Sequence, residues 1–157
     1  MNKYPITPDG IAKLKVELHN LKNVEVPQNI KDIEEARAHG DLKENAEYHA
    51  AKEKQSHLHA RIAYLEDRIA RADIIEPKKI KTEKIAFGAT VSFENMDTGE
   101  QLVYKIVGED ESNPNEGTIS ITSPLAKALI GKTKGDEFEF KTSKGVREYA
   151  IENIEYK

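Results

Sequence analysis

The chain contains no cysteine and no tryptophan, and aromatic residues make up only 6% of its 157 residues. Without cysteine there can be no disulfides and no thiolate metal sites, which suits a reducing compartment. No apolar run is long enough to span a membrane, and no charged segment leads into an apolar one at the start, so a cytoplasmic protein is expected. Nor is there an excess of positive charge. The formal net charge is -4, whereas unaided non-specific binding to nucleic acid needs a basic footprint, so any such contact would have to be local. With 33% charged and 38% hydrophobic residues, the length suits one or two soluble domains.

What is present is a mirror. Ile11 pairs with Ala72, Leu14 with Ile69, Leu18 with Leu65 and Leu21 with Ile62, each pair of numbers totalling 83, which places a fold-back near residue 41. Both arms step by alternating threes and fours, the seam of two antiparallel helices packed as a coiled coil. An arm of about thirty residues at a rise of about 1.5 Å each is a rod on the order of 45 Å long. Beyond Leu21 the seam falters. The same register calls for apolar residues where Glu25, Gln28 and Asp32 stand, while Ile30 and Ile33 mark a shifted phase. Pro27 lies between the phases, so a kink or break is expected near Val26 and Pro27. Toward the tip, Ala36, Ala46, Ala50 and Ala51 offer little area to bury, at roughly 25 cal/mol per Å².

Helical periodicity stops at Glu76-Pro77-Lys78-Lys79. The expected division is a hairpin over 1–75 with its tip near 40–45, a linker over 76–82, and a second domain over 83–157. Thr7, Pro8 and Asp9 signal the first helix, and the second is expected from Asp41 or Leu42 to about Ile74. Downstream the period falls to two, through Phe87, Ala89, Val91 and Phe93; Leu102, Tyr104 and Ile106; Ile119 and Ile121; Phe138 and Phe140; Tyr149 and Ile151. Turns are expected at Asp97-Thr98-Gly99, Asn113-Pro114-Asn115 and Ser143-Lys144-Gly145. Ser123-Pro124-Leu125 opens a short helix that Gly131 closes, with Leu125, Leu129 and Ile130 packing on the sheet. The fold class is therefore α+β: an antiparallel helical hairpin followed by a small antiparallel sheet with one helix.

At the fold-back stand Asp41 and Glu44. One reading is a capping box, Asp at the N-cap and Glu three residues on. The other is a pair of exposed acids at the end of a probe, near the bases Arg37, Lys43 and Lys52, suited to completing the coordination of a Mg²⁺ ion that a host site holds weakly. Histidine offers less: His57 and His59 are two apart on a helix and diverge, and His39 and His49 flank the tip without an identified partner set.

The segment from Glu34 to Glu53, EEARAHGDLKENAEYHAAKE, and the segment from Ile121 to Lys132, ITSPLAKALIGK, together resemble the Gre transcript-cleavage factors, closest to their GreA members. The similarity covers essentially the whole chain. It implies a coiled coil that enters the secondary channel of bacterial RNA polymerase, with an FKBP-like second domain docked at the channel rim through Ser123, Pro124 and Leu125. On this resemblance Asp41 and Glu44 share a Mg²⁺ with the polymerase active site, and the factor binds no cofactor alone. Asn45 and Tyr48 support the site, and Arg37 and Lys52 contact the extruded 3′ end of the nascent RNA. The factor is an accessory to the polymerase rather than an enzyme, acts as a monomer and has no membrane partner.

Several alternatives stay open on the residues themselves. Tyr48 falls on the seam and could simply pack against the first arm. Arg37 and Lys52 could belong to a solvated charged face, and lysine at 52 cannot make the bidentate phosphate contact of arginine. Inhibitory channel binders share the rod and dock but have altered tips, and a coiled-coil adaptor would need neither acid. A prolyl-isomerase role for the second domain lacks an evident aromatic-lined pocket.

Overall fold

The structure, a computed structural model, describes residues 2–40 and 45–157. In chain order, strand β1 (Tyr4–Ile6) leads into helix α1 (Pro8–Asn20), a π-helical turn (Leu21–Glu25), α2 (Val26–Ala38) and α3 (Ala46–Ala70). Strand β2 (Ala72–Ile74) and a 3₁₀ turn (Pro77–Lys79) follow, then β3 (Ala89–Asn95), β4 (Gln101–Val107), β5 (Thr118–Ser120), α4 (Pro124–Leu129), β6 (Glu137–Thr142) and β7 (Gly145–Tyr156). The α+β class expected from the sequence is the one observed.

Two compact units result, one of residues 11–71 and the other of residues 2–10 with 72–157. This departs from a hairpin over 1–75 and a linker over 76–82. The cause is a pair of short strands that carry no sequence signal. β1 and β2 pair in parallel, with Tyr4 opposite Ala72 and Ile6 opposite Ile74, and this pairing follows the end of α3 at Ala70 rather than Ile74. Residues 2–10 are also tied to the sheet-bearing unit through Glu111. Its carboxylate accepts the Thr7 amide (2.8 Å), the Thr7 hydroxyl and the Gly108 amide (2.9 Å). Thr7 then caps α1, its Oγ1 accepting the Gly10 amide at 3.1 Å.

In the hairpin unit, Ile11, Leu14, Leu21, Ile33, Ala36, Leu58 and Leu65 are buried along the seam, with Leu18, Ile62 and Ile69 half-buried. The arms are laced by Glu17–Arg61 (2.6 Å), Lys22–Glu66 (3.0 Å) and Glu25–Lys54 (3.6 Å) ion pairs. Pro27 does not break the first arm. Backbone angles stay helical at Asn20, Glu25 and Val26, and the Val26 amide donates to the Leu21 carbonyl five residues back. A π-turn thus absorbs one extra residue just before the proline, where the helix would otherwise lose a hydrogen bond and meet the ring. Continuing the seam of Ile11, Leu14, Leu18 and Leu21 would bury positions 25, 28, 32 and 35; the buried residues are Asn29, Ile33 and Ala36, each one later. Ile30, expected to mark the new phase with Ile33, instead faces solvent at 47% exposure.

The larger sheet has the order β5-β4-β3-β7-β6. It is mixed rather than wholly antiparallel, because β5 pairs with β4 in parallel, Ile106 opposite Ile119. Alternation is regular along β3, where Ala89, Val91, Phe93 and Asn95 point inward. The pairing of β3 with β7 shifts between Ser92 and Phe93, leaving Glu152 as the extra residue of a bulge. Phe93 is nearly fully buried and meets Tyr149 edge-on at 5.2 Å, with Phe138 at 5.9 Å and Tyr104 at 6.2 Å. Phe93, Phe138 and Tyr149 are thus gathered into the core, with Tyr104, Phe140 and Tyr156 packed against it. Of the α4 residues expected on the sheet, Leu129 is buried and Leu125 packs at the core margin, while Ile130 remains 38% exposed. No helix among the described residues is long and apolar enough to cross a membrane.

Candidate functional site

The tip end of the hairpin unit is built by one side chain above all. Asn45 is the N-cap of α3: its Oδ1 accepts the Tyr48 amide at 3.0 Å, and its Nδ2 donates to the Ala36 carbonyl on the opposite arm at 2.6 Å. The capping box of Asp41 and Glu44 is therefore not what starts this helix, whose first residue is Ala46. The amide expected to support substrate contacts is engaged in closing the hairpin. Asp41 and Glu44 themselves lie outside the described residues, as does Lys43. On the incoming arm α2 ends at Ala38, with His39 and Gly40 donating back to the Ala36 and Arg37 carbonyls. Gly40 has φ of 127°, a conformation that L side chains rarely adopt.

Around this closure the expected residues fall as follows. Tyr48 is half-buried on the seam side of α3, and the Arg37 guanidinium lies over its ring at 5.8 Å from the centroid. The geometry shows the packing reading of Tyr48: the ring faces the first arm and has the Arg37 cation over it. Arg37 is exposed and stays available to an anion, a planar fork suited to phosphate. Lys52 is exposed one turn beyond Tyr48, with its ammonium on Gln55 at 2.9 Å. His49 stacks edge-on against Tyr48 at 5.6 Å, and His57 lies 3.6 Å from Glu53. Among the described residues no group of three or more histidines and carboxylates is placed to hold a metal.

One residue of this region escaped the sequence reading. Asn29 is buried at 2% exposure in the seam, and its Nδ2 donates to the Ala51 carbonyl of the opposite arm at 3.0 Å. An asparagine in an apolar seam gives no periodic signal; only the one-residue shift before Pro27 points to it.

In the sheet-bearing unit, Ser123 caps α4, accepting the Ala126 amide at 3.2 Å and donating to the Ser120 carbonyl at 2.6 Å. Its hydroxyl is thus committed. Pro124, the first residue of α4, is exposed, and Leu125 is half-buried beside the core. The structure brings Arg37, Asn45, Tyr48 and Lys52 to one end of the hairpin, and it places Ser123, Pro124 and Leu125 together at the start of α4.

Two family models match in sequence order: the N-terminal domain of transcription elongation factors GreA and GreB over residues 4–74, and their C-terminal domain over residues 80–156. The chain belongs to the GreA/GreB transcription elongation factor family. It is 52% identical to transcription elongation factor GreA of Hyphomonas neptunium, over 100% of each chain. GreA of Syntrophus aciditrophicus is 53% identical over 98% of this chain and 96% of its own. Among solved structures, GreA factor homolog 1 of Thermus thermophilus is 29% identical, covering 98% of this chain and 99% of its own at a TM-score of 0.45.

Proposed function

We propose that this elongation factor inserts its hairpin into the secondary channel of bacterial RNA polymerase and stimulates the polymerase's own cleavage of backtracked nascent RNA, as an accessory factor and not as an enzyme. The observation that carries this reading is the closure by Asn45. It caps α3 and bolts it to Ala36, so the acids between Gly40 and Asn45 are not needed to start the helix. Relatives named as elongation factors, similar over the whole chain, supply the setting.

Asp41 and Glu44 are hard oxygen donors, the type that Mg²⁺ takes, and they are the residues that would hold a Mg²⁺ shared with the polymerase. Such an ion activates water and stabilises a leaving oxygen in hydrolysis of a phosphodiester. Arg37, stacked on Tyr48, presents a fixed cation to the phosphates of the extruded RNA 3′ end, and Lys52 adds a second, more mobile one. Asn45 keeps the two arms together under that load. The start of α4, with Pro124 exposed and Leu125 beside it, offers a small apolar contact for the polymerase rim. One copy of the chain acts alone, without a bound cofactor.

The test is cleavage of labelled RNA in a stalled, backtracked elongation complex with Mg²⁺, comparing wild type with the Asp41→Asn, Glu44→Gln double variant at saturation. Wild type should release short 3′ fragments while the variant binds polymerase without releasing them. Equal cleavage by the variant would remove the acids from the chemistry. Binding without cleavage by either protein would identify an inhibitory channel binder.

A further inference from the structure

We propose that Asn29 is a positioning residue for the tip: together with the π-turn that carries it into the seam, it sets the longitudinal register of the outer half of the hairpin. This rests on the cleavage reading for its functional consequence, though not for its structural one.

The argument begins with what else could fix the register there. Ile33 and Leu58 are buried and Tyr48 is half-buried at the margin beneath the Arg37 guanidinium, but Ala36, Asn45, Ala51 and Gln55, which complete the seam near the tip, are small or polar. Small methyl faces interdigitate weakly and accept a slip at little loss of buried area. The Glu25–Lys54 ion pair that crosses the arms here is half-exposed, and long solvated side chains follow a displaced partner. A buried amide is different in kind. Asn29 is 2% exposed, so a register that removed its Ala51 acceptor would leave a desolvated donor unpaired. A polar residue within an apolar seam specifies register in this way, at some cost in stability.

The π-turn is what delivers this residue. In an uninterrupted α-helix the seam would pass through Gln28, and Asn29 would point to one side. Asn29 and Asn45 then act as reciprocal bolts: the first runs from the incoming arm to the Ala51 carbonyl, and the second from the outgoing arm to the Ala36 carbonyl. Between the bolts each arm runs about two helical turns. Asp41 and Glu44 follow directly from that clamped segment, so a slip of the outer half would carry the acids away from any fixed target.

The absence of cysteine makes the test direct. Cysteines at Glu34 and Glu53, both exposed, carry spin labels for a double electron–electron resonance distance measurement in wild type and in Asn29→Leu. Leucine is apolar and of similar size, so the arms stay packed. Wild type should give one narrow distance distribution, and Asn29→Leu a broadened or doubled one. In the RNA cleavage assay, Asn29→Leu without labels should lower the maximal rate at saturating factor about tenfold or more, with the half-saturating factor concentration unchanged. A single narrow distribution in Asn29→Leu, or wild-type maximal cleavage with it, overturns the proposal. If wild type itself stimulated no cleavage, the functional reading would fail, while the distance distributions would still decide the register.

Discussion

The hydroxyl of Thr7 donates to the carboxylate of Glu111, a residue 104 positions further along the chain. The same carboxylate takes the backbone amides of Thr7 and Gly108, so one side chain satisfies three donors. Gly108 is part of this fit, because a Cβ there would stand 2.4 Å from the Pro5 carbonyl oxygen. Replacing Glu111 by alanine leaves partly buried donors without an acceptor, which costs on the order of 1–3 kcal/mol. Urea unfolding of Glu111→Ala should show that loss, and the amides of Tyr4 and Ile6 should exchange faster with solvent than in wild type. Unchanged exchange in β1 would show that its pairing with β2 suffices alone.

The π-turn yields a prediction that runs against the usual effect of a deletion. Removing Val24, which is 56% exposed, takes out the one extra residue and leaves Asn29, Ile33 and Ala36 in the seam of a straight helix. Pro27 would then sit inside that helix, where its ring meets the preceding turn and costs about 3 kcal/mol. Deletion of Val24 alone should therefore destabilise the hairpin. Deletion combined with Pro27→Ala should recover wild-type stability or better, as read by thermal unfolding followed by circular dichroism. A double variant no more stable than the single deletion would show that the π-turn answers to something other than the proline.

The bulge in β7 makes a pH-dependent element. Glu152 shares a hydrogen bond with the Glu94 carboxyl, and this, with some desolvation and the repulsion of the neighbouring charge, holds its pKa above the ordinary 4.5. A carboxyl whose pKa is raised by folding binds its proton more tightly in the native state. Its contribution to stability is complete below about pH 4.5 and is lost as the pH rises through the folded value. The wild-type urea midpoint should therefore fall, relative to Glu152→Gln, as the pH climbs from 4.5 toward neutrality. Parallel curves for the two proteins would mean that the pair of carboxyls is not coupled to folding.

Much of this arrangement was legible from residue types alone. Buried Ile11, Leu14, Leu21 and Leu65 lie where heptad spacing puts them, and inward-facing Ala89, Val91 and Phe93 follow the two-residue period of β3. What escaped has physical causes. Tyr4–Ile6 and Ala72–Ile74 are three residues each, and only their mutual pairing makes them strands. The parallel pairing of β5 with β4 depends on the route of the chain between them, which alternation cannot report. Asp41 and Asn45 are both good N-cap residues, and spacing cannot choose between them; the Ala36 carbonyl does. A single added residue before Pro27 moved every later seam position by one, which turned the faltering pattern at Glu25, Gln28 and Asp32 into a regular one read a step too early.

The tie between residues 2–10 and the sheet-bearing unit bears on how the chain matures as it is made. Residues 11–71 form an insertion within the other unit, and the backbone hydrogen bonds of a helix are local in sequence, so they can acquire structure soon after emerging from the ribosome. Tyr4 to Ile6 must wait for Ala72 to Ile74, and Thr7 must wait again for Glu111. Synthesis therefore delivers residues 11–71 before the sheet-bearing unit is complete, and residues 2–10, which emerge ahead of the hairpin, are among the last to find their partners.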